Sequence, residues 1–253
     1  MKNSFVSSGS RKERFDVFVQ ERYPHLTRNQ IQSFIMQGMV KVDGKVVTKA
    51  GKIISDQSVI DLDTTMPQYV CRAGFKLEKA LEHFGINVID FIVMDAGLST
   101  GGFTDCLLQK GAAKVYGIDV GYNQVHEKIR QNPRVHVMEE TNLRYVTSLP
   151  ELVDLVTLDL AFISVLKVMH VVKALLKSAG VLIVLIKPQF EAARSQVGKG
   201  GIIKDELIHS EVVTQVTQGI TLHGFSLVGV IESPLLGSSG NKEFLAYFKR
   251  NSS

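Results

Sequence analysis

The chain has 253 residues, of which 45% are hydrophobic and 21% are charged, and its formal net charge is +4. This composition excludes a fibrous or disordered protein and suits one medium-sized domain with a small one beside it. The longest apolar run, residues 181–186, is far shorter than the roughly 20 residues that a membrane-spanning helix needs. The first 14 residues lack the apolar stretch of a secretory signal. Cys71 and Cys106 show no metal-ligand spacing, so we expect no metal site and a reducing, cytoplasmic location.

The excess positive charge is confined to the first quarter of the chain. Residues 1–62 hold ten Lys or Arg against six Asp or Glu, whereas residues 63–253 hold nineteen of each. Such a local excess indicates a module that binds a polyanion, for example a nucleic acid. On charge alone, a solvated basic surface without a partner is the second interpretation.

Two helices are predicted after a flexible, serine-rich tail over residues 1–10. From Arg11 to Tyr23, Phe15, Phe18 and Val19 have the spacing of one helical face, and a proline follows. A second helix is predicted to begin after Thr27, because Thr27 and Gln30 have the spacing of a capping box. Its apolar face is Ile31, Phe34 and Ile35, and its end is Gly38.

The next segment, VKVDGKVV, predicts a β-hairpin with Asp43 and Gly44 in the turn. In this pattern Val40, Val42 and Val46 are expected to share one face. The two helices and the hairpin predict a small α+β unit over residues 11–62. Its expected exposed cations are Arg28, Lys41, Lys45 and Lys49.

Residues 63–69 are polar, contain a proline and predict a short linker to a second domain over residues 70–253. Five nearly continuous apolar runs then predict buried parallel strands: 91–95, 115–119, 135–138, 155–160 and 181–186. Residues 225–233 and 243–250 are expected to form a terminal antiparallel pair. Repeated strand–helix units predict an α/β fold with a Rossmann-like, doubly wound sheet that binds ligands at the carboxyl ends of its strands.

The loop after the first of these strands, DAGLSTGGFTD, has the glycine content of a cofactor-binding turn. Glycines are needed where a Cβ would clash with a ligand or forbid the turn. The pattern DxGxSxGG differs from the GxGxxG of nicotinamide-binding loops. A nicotinamide site and a purely structural turn are the alternatives. The cofactor candidates in this loop are Asp95, Gly97, Ser99, Thr100, Gly101, Gly102 and Phe103.

Asp119 ends the second strand, where a carboxylate can accept hydrogen bonds from both ribose hydroxyls of a nucleoside. Taken alone, it is equally a helix cap or a surface acid. Glu139 and Asn142 follow the third strand and are candidates for contact with an adenine edge, with a solvated turn as the alternative.

Four further polar residues stand where a site above the sheet needs them: Lys76, Asp159, Lys187 and Glu243. Lys187 follows six apolar residues, so its ammonium is expected to project into the crevice above the sheet. A lysine that only extends to solvent from a strand end is the alternative. For Lys76 and Glu243 taken singly, a surface position is the alternative.

The chain as a whole resembles a known enzyme family. RFDVFVQERYPHLTRNQIQSFIMQGMVKVDGKVV is similar to the RNA-binding domain named after ribosomal protein S4, with Thr27 for the usual serine and Asp43 for the usual asparagine. The four polar residues resemble the Lys-Asp-Lys-Glu tetrad of FtsJ-like ribose 2′-O-methyltransferases. YVCRAGFKL, DAGLSTGGFTD, LDLAFIS, LIKPQFE and SPLLGSSGNKEF extend the resemblance to the TlyA family of ribosomal RNA methyltransferases. Cys71, Ala73 and Ala161 depart from the family pattern.

The resemblance implies methyl transfer from S-adenosylmethionine to a ribose 2′-hydroxyl, of cytidine, in ribosomal RNA or ribosomal subunits. It implies catalytic roles for Lys76, Asp159, Lys187 and Glu243. It also implies RNA contacts from the first domain, for which the candidates are Arg11, Arg14, Arg28, Lys41 and Lys45. The alternatives are an assembly protein with an inactive methyltransferase fold, a membrane-active haemolysin, and methylation of a protein or small molecule. The residues leave open whether Lys187 removes the proton or orients the hydroxyl.

Overall fold

The structure, a computed structural model, describes residues 12–36, 38–63, 68–237 and 239–251. It divides into two compact units, Met1–Arg72 and Ala73–Ser253. The elements of the first unit are β1 (Lys12–Arg14), α1 (Phe15–Arg22), α2 (Arg28–Met36), β2 (Val40–Val42), β3 (Lys45–Val46), β4 (Ile53–Ser55) and β5 (Ile60–Leu62). Four residues of the predicted linker, 64–67, and the predicted tail lie outside the described residues, so these boundaries stay predictions.

The two predicted helices are confirmed, with one change of boundary. The first helix begins at Phe15 rather than at Arg11, because Lys12–Arg14 pair as a strand with Ile53–Ser55. The second begins directly after Thr27. The side chain of Gln30, on which the capping-box prediction depends, lies outside the description. Gly38 ends the helix in the left-handed region, with φ of 78°.

The hairpin is confirmed, but one of its facing residues was predicted wrongly. Asp43 and Gly44 both have positive φ, as a two-residue hairpin turn requires. That turn pairs Lys41 with Val46, so Val46 lies on the outer face and is 54% exposed. Val47 is buried in its place, opposite Val40.

The second unit contains a seven-stranded mixed sheet in the order β11-β12-β10-β9-β6-β7-β8. Its strands are β6 (Ile92–Ala96), β7 (Lys114–Ile118), β8 (Val135–Met138), β9 (Val153–Leu158), β10 (Leu176–Ile186), β11 (Phe225–Glu232) and β12 (Phe244–Arg250). Its helices are α3 (Ala73–Phe84), α4 (Gly102–Gln109), α5 (Glu127–Arg130), α6 (Met169–Leu175), α7 (Pro188–Glu191) and α8 (Glu206–Leu222). The five predicted parallel strands and the terminal antiparallel pair are confirmed.

Helices cover both faces of this sheet, which confirms the doubly wound fold. On one face, α6 and α8 pack against a core that includes Met94, Leu182 and Phe248. On the opposite face lies α3, whose Phe84 ring contacts that of Tyr247 at a centroid distance of 5.2 Å. The chain leaves β6 toward β7 on one side and returns to β9 on the other, and the crevice between their carboxyl ends is the expected ligand site.

In the part of the chain that the structure describes, no helix is long and apolar enough to cross a membrane. The same residues contain no group of three or more His, Cys, Asp or Glu arranged to hold a metal ion.

Candidate active site

A cavity of about 610 Å³ lies at the carboxyl ends of the parallel strands. The loops that follow five of them contribute to its wall, as the position of the strand-order change predicts. Among the predicted site residues, six line this cavity: Gly97, Ser99, Asp119, Asn142, Asp159 and Lys187.

The carboxylate of Asp119 is held at the wall by two backbone amides. Ser99 N donates to Oδ2 and Gly121 N donates to Oδ1, each at 2.7 Å. Each carboxylate oxygen retains a lone pair, so the group can still accept hydrogen bonds from a diol. Nearby, Asn142 Oδ1 accepts from Arg144 N at 3.1 Å, which leaves the Asn142 amide nitrogen as a donor toward the cavity.

Two glycines of the cofactor loop are required by its backbone conformation and close packing. Gly97 and Gly101 have φ of 89° and 95°, which favours glycine. A Cβ at Gly97 would collide with the carbonyl oxygen of Asp159, and one at Gly101 would lie 2.9 Å from Ile129 Cγ1. The close approach of Gly97 therefore sets the cofactor loop directly beside the strand end that carries Asp159.

Asp95 was predicted to contact the cofactor, but it is 1% exposed and does not line the cavity. It accepts hydrogen bonds from Thr104 Oγ1 at 2.7 Å and Thr157 Oγ1 at 2.8 Å, and so links β6 to α4 and β9. Burial raises the pKa of Asp95 to about 6, although both hydrogen bonds oppose this shift. Its position is that of a support beneath the loop.

The remaining cofactor candidates also do not line the cavity: Thr100, Gly101, Gly102, Phe103 and Glu139. Phe103 is buried in the packing of α4. Arg130 Nη2 donates a hydrogen bond to Glu139 Oε2 at 2.8 Å. This bond lowers the pKa of the Glu139 carboxyl. Glu139 also accepts from Gln124 N at 3.3 Å, so it closes a turn rather than facing the cavity.

Lys187 and Asp159 form an ion pair on the cavity wall. Lys187 Nζ lies 2.6 Å from Asp159 Oδ1, and both side chains are largely buried. Their alignment is poor for a hydrogen bond, so among the described residues Oδ1 has no well-directed donor. The strand ends fix both backbones, because Asp159 N donates to Ala96 O at 2.9 Å and Pro188 begins α7 directly after Lys187.

Lys76 and Glu243 form a second, more deeply buried ion pair, with Nζ donating to Oε2 at 2.5 Å. They do not line the cavity. The register of β10 and β12, in which Ile186 faces Phe244, nevertheless places Lys187 and Glu243 side by side at the strand ends. The structure thus brings the four predicted residues to one end of the sheet as two lysine–carboxylate pairs.

Sequence reasoning missed an aromatic residue and two cations of the cavity wall. Phe162 is 90% exposed and has φ of 63°, which is rare for a side chain of this size. In the sequence it stands inside the apolar LDLAFIS and looks like a core residue. Arg144 and Lys167 line the same cavity and are exposed. Their only sequence signal is their place shortly after strand ends.

In the first unit, the candidate RNA contacts differ in their surroundings. Arg14 and Arg28 each lie 3.0 Å from the buried Asp16 carboxylate. Lys41 Nζ is 3.9 Å from Asp61, with both side chains exposed, and Lys45 is exposed on β3. Arg11 lies outside the described residues.

The strand order, the glycine loop and the acid at the tip of β7 define a nucleoside-cofactor methyltransferase fold. Residues 69–250 match the model of the FtsJ-like methyltransferase family, and residues 13–60 match that of the S4 domain. The chain belongs to the TlyA family of these methyltransferases, in which the S4 domain precedes the catalytic domain.

Three similar proteins illustrate the family. The chain is 41% identical to the Bacillus subtilis protein YqxC, provisionally named an rRNA methyltransferase, over 94% of this chain and 86% of that protein. It is 38% identical to the 16S/23S rRNA (cytidine-2′-O)-methyltransferase TlyA of Mycobacterium tuberculosis, over 95% and 91% of the two chains. A solved structure from Streptococcus thermophilus, provisionally named a hemolysin, is 40% identical, with a TM-score of 0.75 over 96% and 90%.

Proposed function

We propose that the chain transfers a methyl group from S-adenosylmethionine to the 2′-hydroxyl of a cytidine ribose in ribosomal RNA. The observation that carries this proposal is the Lys187–Asp159 pair, which shares one cavity with Asp119. Asp119, which can bind a nucleoside, and Lys187, which can bind a hydroxyl group or accept its proton, thus line the same cavity. The name of the Mycobacterium tuberculosis relative states this reaction for that protein.

The residues present fit S-adenosylmethionine. The cavity volume falls within the usual range for cofactor sites. Asp119, fixed by two amides, would accept hydrogen bonds from the ribose hydroxyls, and the Asn142 amide would meet the adenine edge. Bound there, S-adenosylmethionine supplies an electrophilic methyl group on a sulfonium.

The chain's own residues then have two tasks: to align the ribose hydroxyl and to manage its proton. Of the four tetrad residues, Lys187 and Asp159 line the cavity. Asp159 holds the lysine at one point, while the Lys76–Glu243 pair supports the adjacent strand end. Lys187 would orient the hydroxyl by donating to its oxygen, or accept its proton when unprotonated, and Lys187→Arg separates these roles.

The cavity rim suits RNA. Sequence-specific recognition of RNA favours unstacked bases that stack on aromatic rings, and Phe162 presents an exposed ring beside the Lys187–Asp159 pair. Arg144 and Lys167 would contact phosphates, which position the substrate. The S4 match and the basic excess over residues 1–62 support ribosomal RNA as the partner. A cytoplasmic location stays a prediction.

The test is to map ribose 2′-O-methylation of ribosomal RNA after incubating purified subunits with the protein and labelled S-adenosylmethionine. We expect label in a cytidine ribose with the natural protein, and label that appears at least about 10²-fold more slowly with Lys187→Ala. Cofactor binding without any methyl transfer to either subunit would favour the assembly protein with an inactive fold. Release of dye from liposomes that is unchanged by Lys187→Ala would favour the haemolysin alternative.

A further inference from the structure

Two loops of the active site run side by side beyond the carboxyl ends of β9 and β10. At their near end, Lys187 and Asp159 form the ion pair described above. Three residues further along each loop, the rings of Phe190 and Phe162 lie 5.0 Å apart between centroids. The first loop is residues 159–165, and the second, residues 187–191, includes the short helix α7. The two are therefore in contact along their length.

Glu191 closes the far end of this pair of loops. Its Oε1 accepts a hydrogen bond from Val165 N at 2.8 Å, and the neighbouring Ser164 side chain favours its charged form. Val165 begins a short 3-10 helix, Val165–Val168, so the carboxylate lies at a helix N-terminus, where negative charge is favoured. Burial raises the pKa of Glu191, and the Ser164 side chain and the bond from Val165 N oppose the shift. A carboxylate that is costly to bury is thus matched to a specific backbone donor, Val165 N.

The loop that Glu191 holds contains the strained residue Phe162. A non-glycine residue in the left-handed region is strained and persists only where its surroundings hold it. The Phe162 side chain is 90% exposed, so core packing contributes little to holding it. The loop is instead fixed at its ends, by Asp159 N donating to Ala96 O and by Val165 N donating to Glu191 Oε1.

We propose that Glu191 is a positioning residue for methyl transfer, which fastens the 159–165 loop to the 187–191 loop and so fixes Lys187 and Phe162 relative to each other. Glu191 does not line the cavity, so it acts through these residues and not on the substrate. This inference rests on the proposed function, because its consequence for catalysis is measured as methyl transfer.

The experiment compares Glu191→Ala with Glu191→Gln in the full chain. Glutamine keeps a carbonyl oxygen that accepts from Val165 N, so we expect it to retain the rate within about threefold, since a neutral acceptor still makes the bond. Alanine should lower single-turnover methyl transfer on the order of 10²-fold through misplacement of Lys187, with cofactor affinity unchanged. Glu211→Ala, at an exposed acid on α8, is the matched control and should leave all values unchanged.

Hydrogen exchange gives a second readout that needs no activity. Peptides that cover residues 159–168 should exchange faster in Glu191→Ala than in the natural protein, and Glu191→Gln should restore their protection. Unchanged exchange in this segment, or an unchanged rate in Glu191→Ala, would overturn the proposal. An equal loss of rate, cofactor affinity and thermal stability would also overturn it, because Glu191 would then be a general structural residue. A natural protein that transfers no methyl group would refute the proposed function, and the exchange data would still decide the role of Glu191.

Discussion

The guanidinium of Arg28 lies 3.0 Å from the carboxylate of Asp16, which is fully buried between the first two helices. Arg14 reaches the same carboxylate at 3.0 Å, and Gln32 Nε2 donates to it at 2.7 Å. The hydrogen bond from Arg14 is the main reason that the pKa of Asp16 is held far below its usual range. Of the two arginines expected to bind RNA, Arg28 therefore also ties α2 to α1, and Arg14 holds the start of α1. Their loss would confound an RNA-binding measurement.

We expect Asp16→Asn to destabilise the first unit by about 1.5–3 kcal/mol at pH 7, the range for hydrogen bonds to a charged group. Because the pKa of Asp16 is lowered on folding, its contribution is fully present above the unfolded-state pKa. It begins to be lost below that value and is gone only when the pH has fallen through the folded-state pKa. Hydrogen exchange of α1 and α2 at pH 7 and pH 3 would measure this. A difference between variant and natural protein that stays constant over this range would contradict the assignment.

Lys41 and Lys45 are better tests of RNA binding, because both are exposed and the Lys41–Asp61 pair is a weak surface contact. Replacing both with alanine should weaken binding to ribosomal RNA. If each contacts one phosphate, the slope of log affinity against log salt should flatten by about 0.7–0.9 per lysine. Lys249→Ala, an exposed lysine of the second unit, serves as the control. An unchanged slope in the double variant would remove the hairpin from the RNA interface.

The sheet could be predicted from the sequence because buried parallel strands are apolar throughout, and such runs are rare elsewhere. The roles of the acids at the ends of these strands could not be predicted from the sequence. Asp95 and Asp119 look alike in sequence, yet Asp95 lies within β6, opposite Gly117 of β7, whereas Asp119 lies beyond the end of β7. That offset of two residues buries one carboxylate under α4 and leaves the other at the cavity.

The sequence also did not predict which lysine of the tetrad pairs with which acid. Either lysine could pair with either acid by sequence alone, because the choice depends on the register of β10 with β12 and on the path of α3. Phe162 was missed for a related reason. Only its left-handed backbone turns an apolar residue out of the core and toward the cavity.

Asp119→Ala should weaken S-adenosylmethionine binding by about 1–3 kcal/mol, the range for leaving a buried hydrogen-bond partner unsatisfied. The same substitution removes the acceptor for Ser99 N and Gly121 N, so part of the loss would come from the loop itself. Asp119→Asn, which keeps one acceptor, should lose less. Calorimetric titration measures both, and equal affinity of the alanine variant and the natural protein would exclude Asp119 from the site.

Asp95 should make the stability of the second unit pH-dependent. Burial raises its folded-state pKa from 3.8 to about 6, so the folded state binds the proton more tightly than the unfolded state. Stability is therefore greatest below the unfolded pKa and falls, by up to about 3 kcal/mol, as the pH rises through the folded pKa. In Asp95→Asn this dependence should vanish. Hydrogen exchange of β6 and β9 amides at pH 4 and pH 7 tests it, and parallel pH profiles of the two proteins would contradict it.

The sharpest test of the catalytic proposal is Lys187. Its ammonium faces the cavity beside Asp159, while Asp119 and Asn142 hold the region expected to bind the nucleoside. Lys187→Ala should therefore spare cofactor affinity. It should slow methyl transfer by about 10²–10⁴-fold if general-base help alone is lost, and by more if the hydroxyl is also misplaced.

Lys187→Arg separates the two roles of this residue. Arginine keeps the positive charge opposite Asp159 but cannot give up its proton, and its planar fork does not occupy the point of a lysine ammonium. If Lys187 removes the proton, the arginine variant should be nearly as slow as the alanine variant in a single-turnover assay with ribosomal RNA. Near-normal turnover by the arginine variant would show that Lys187 is no base. The Lys187–Asp159 pair would then act by orienting the hydroxyl, with water taking the proton.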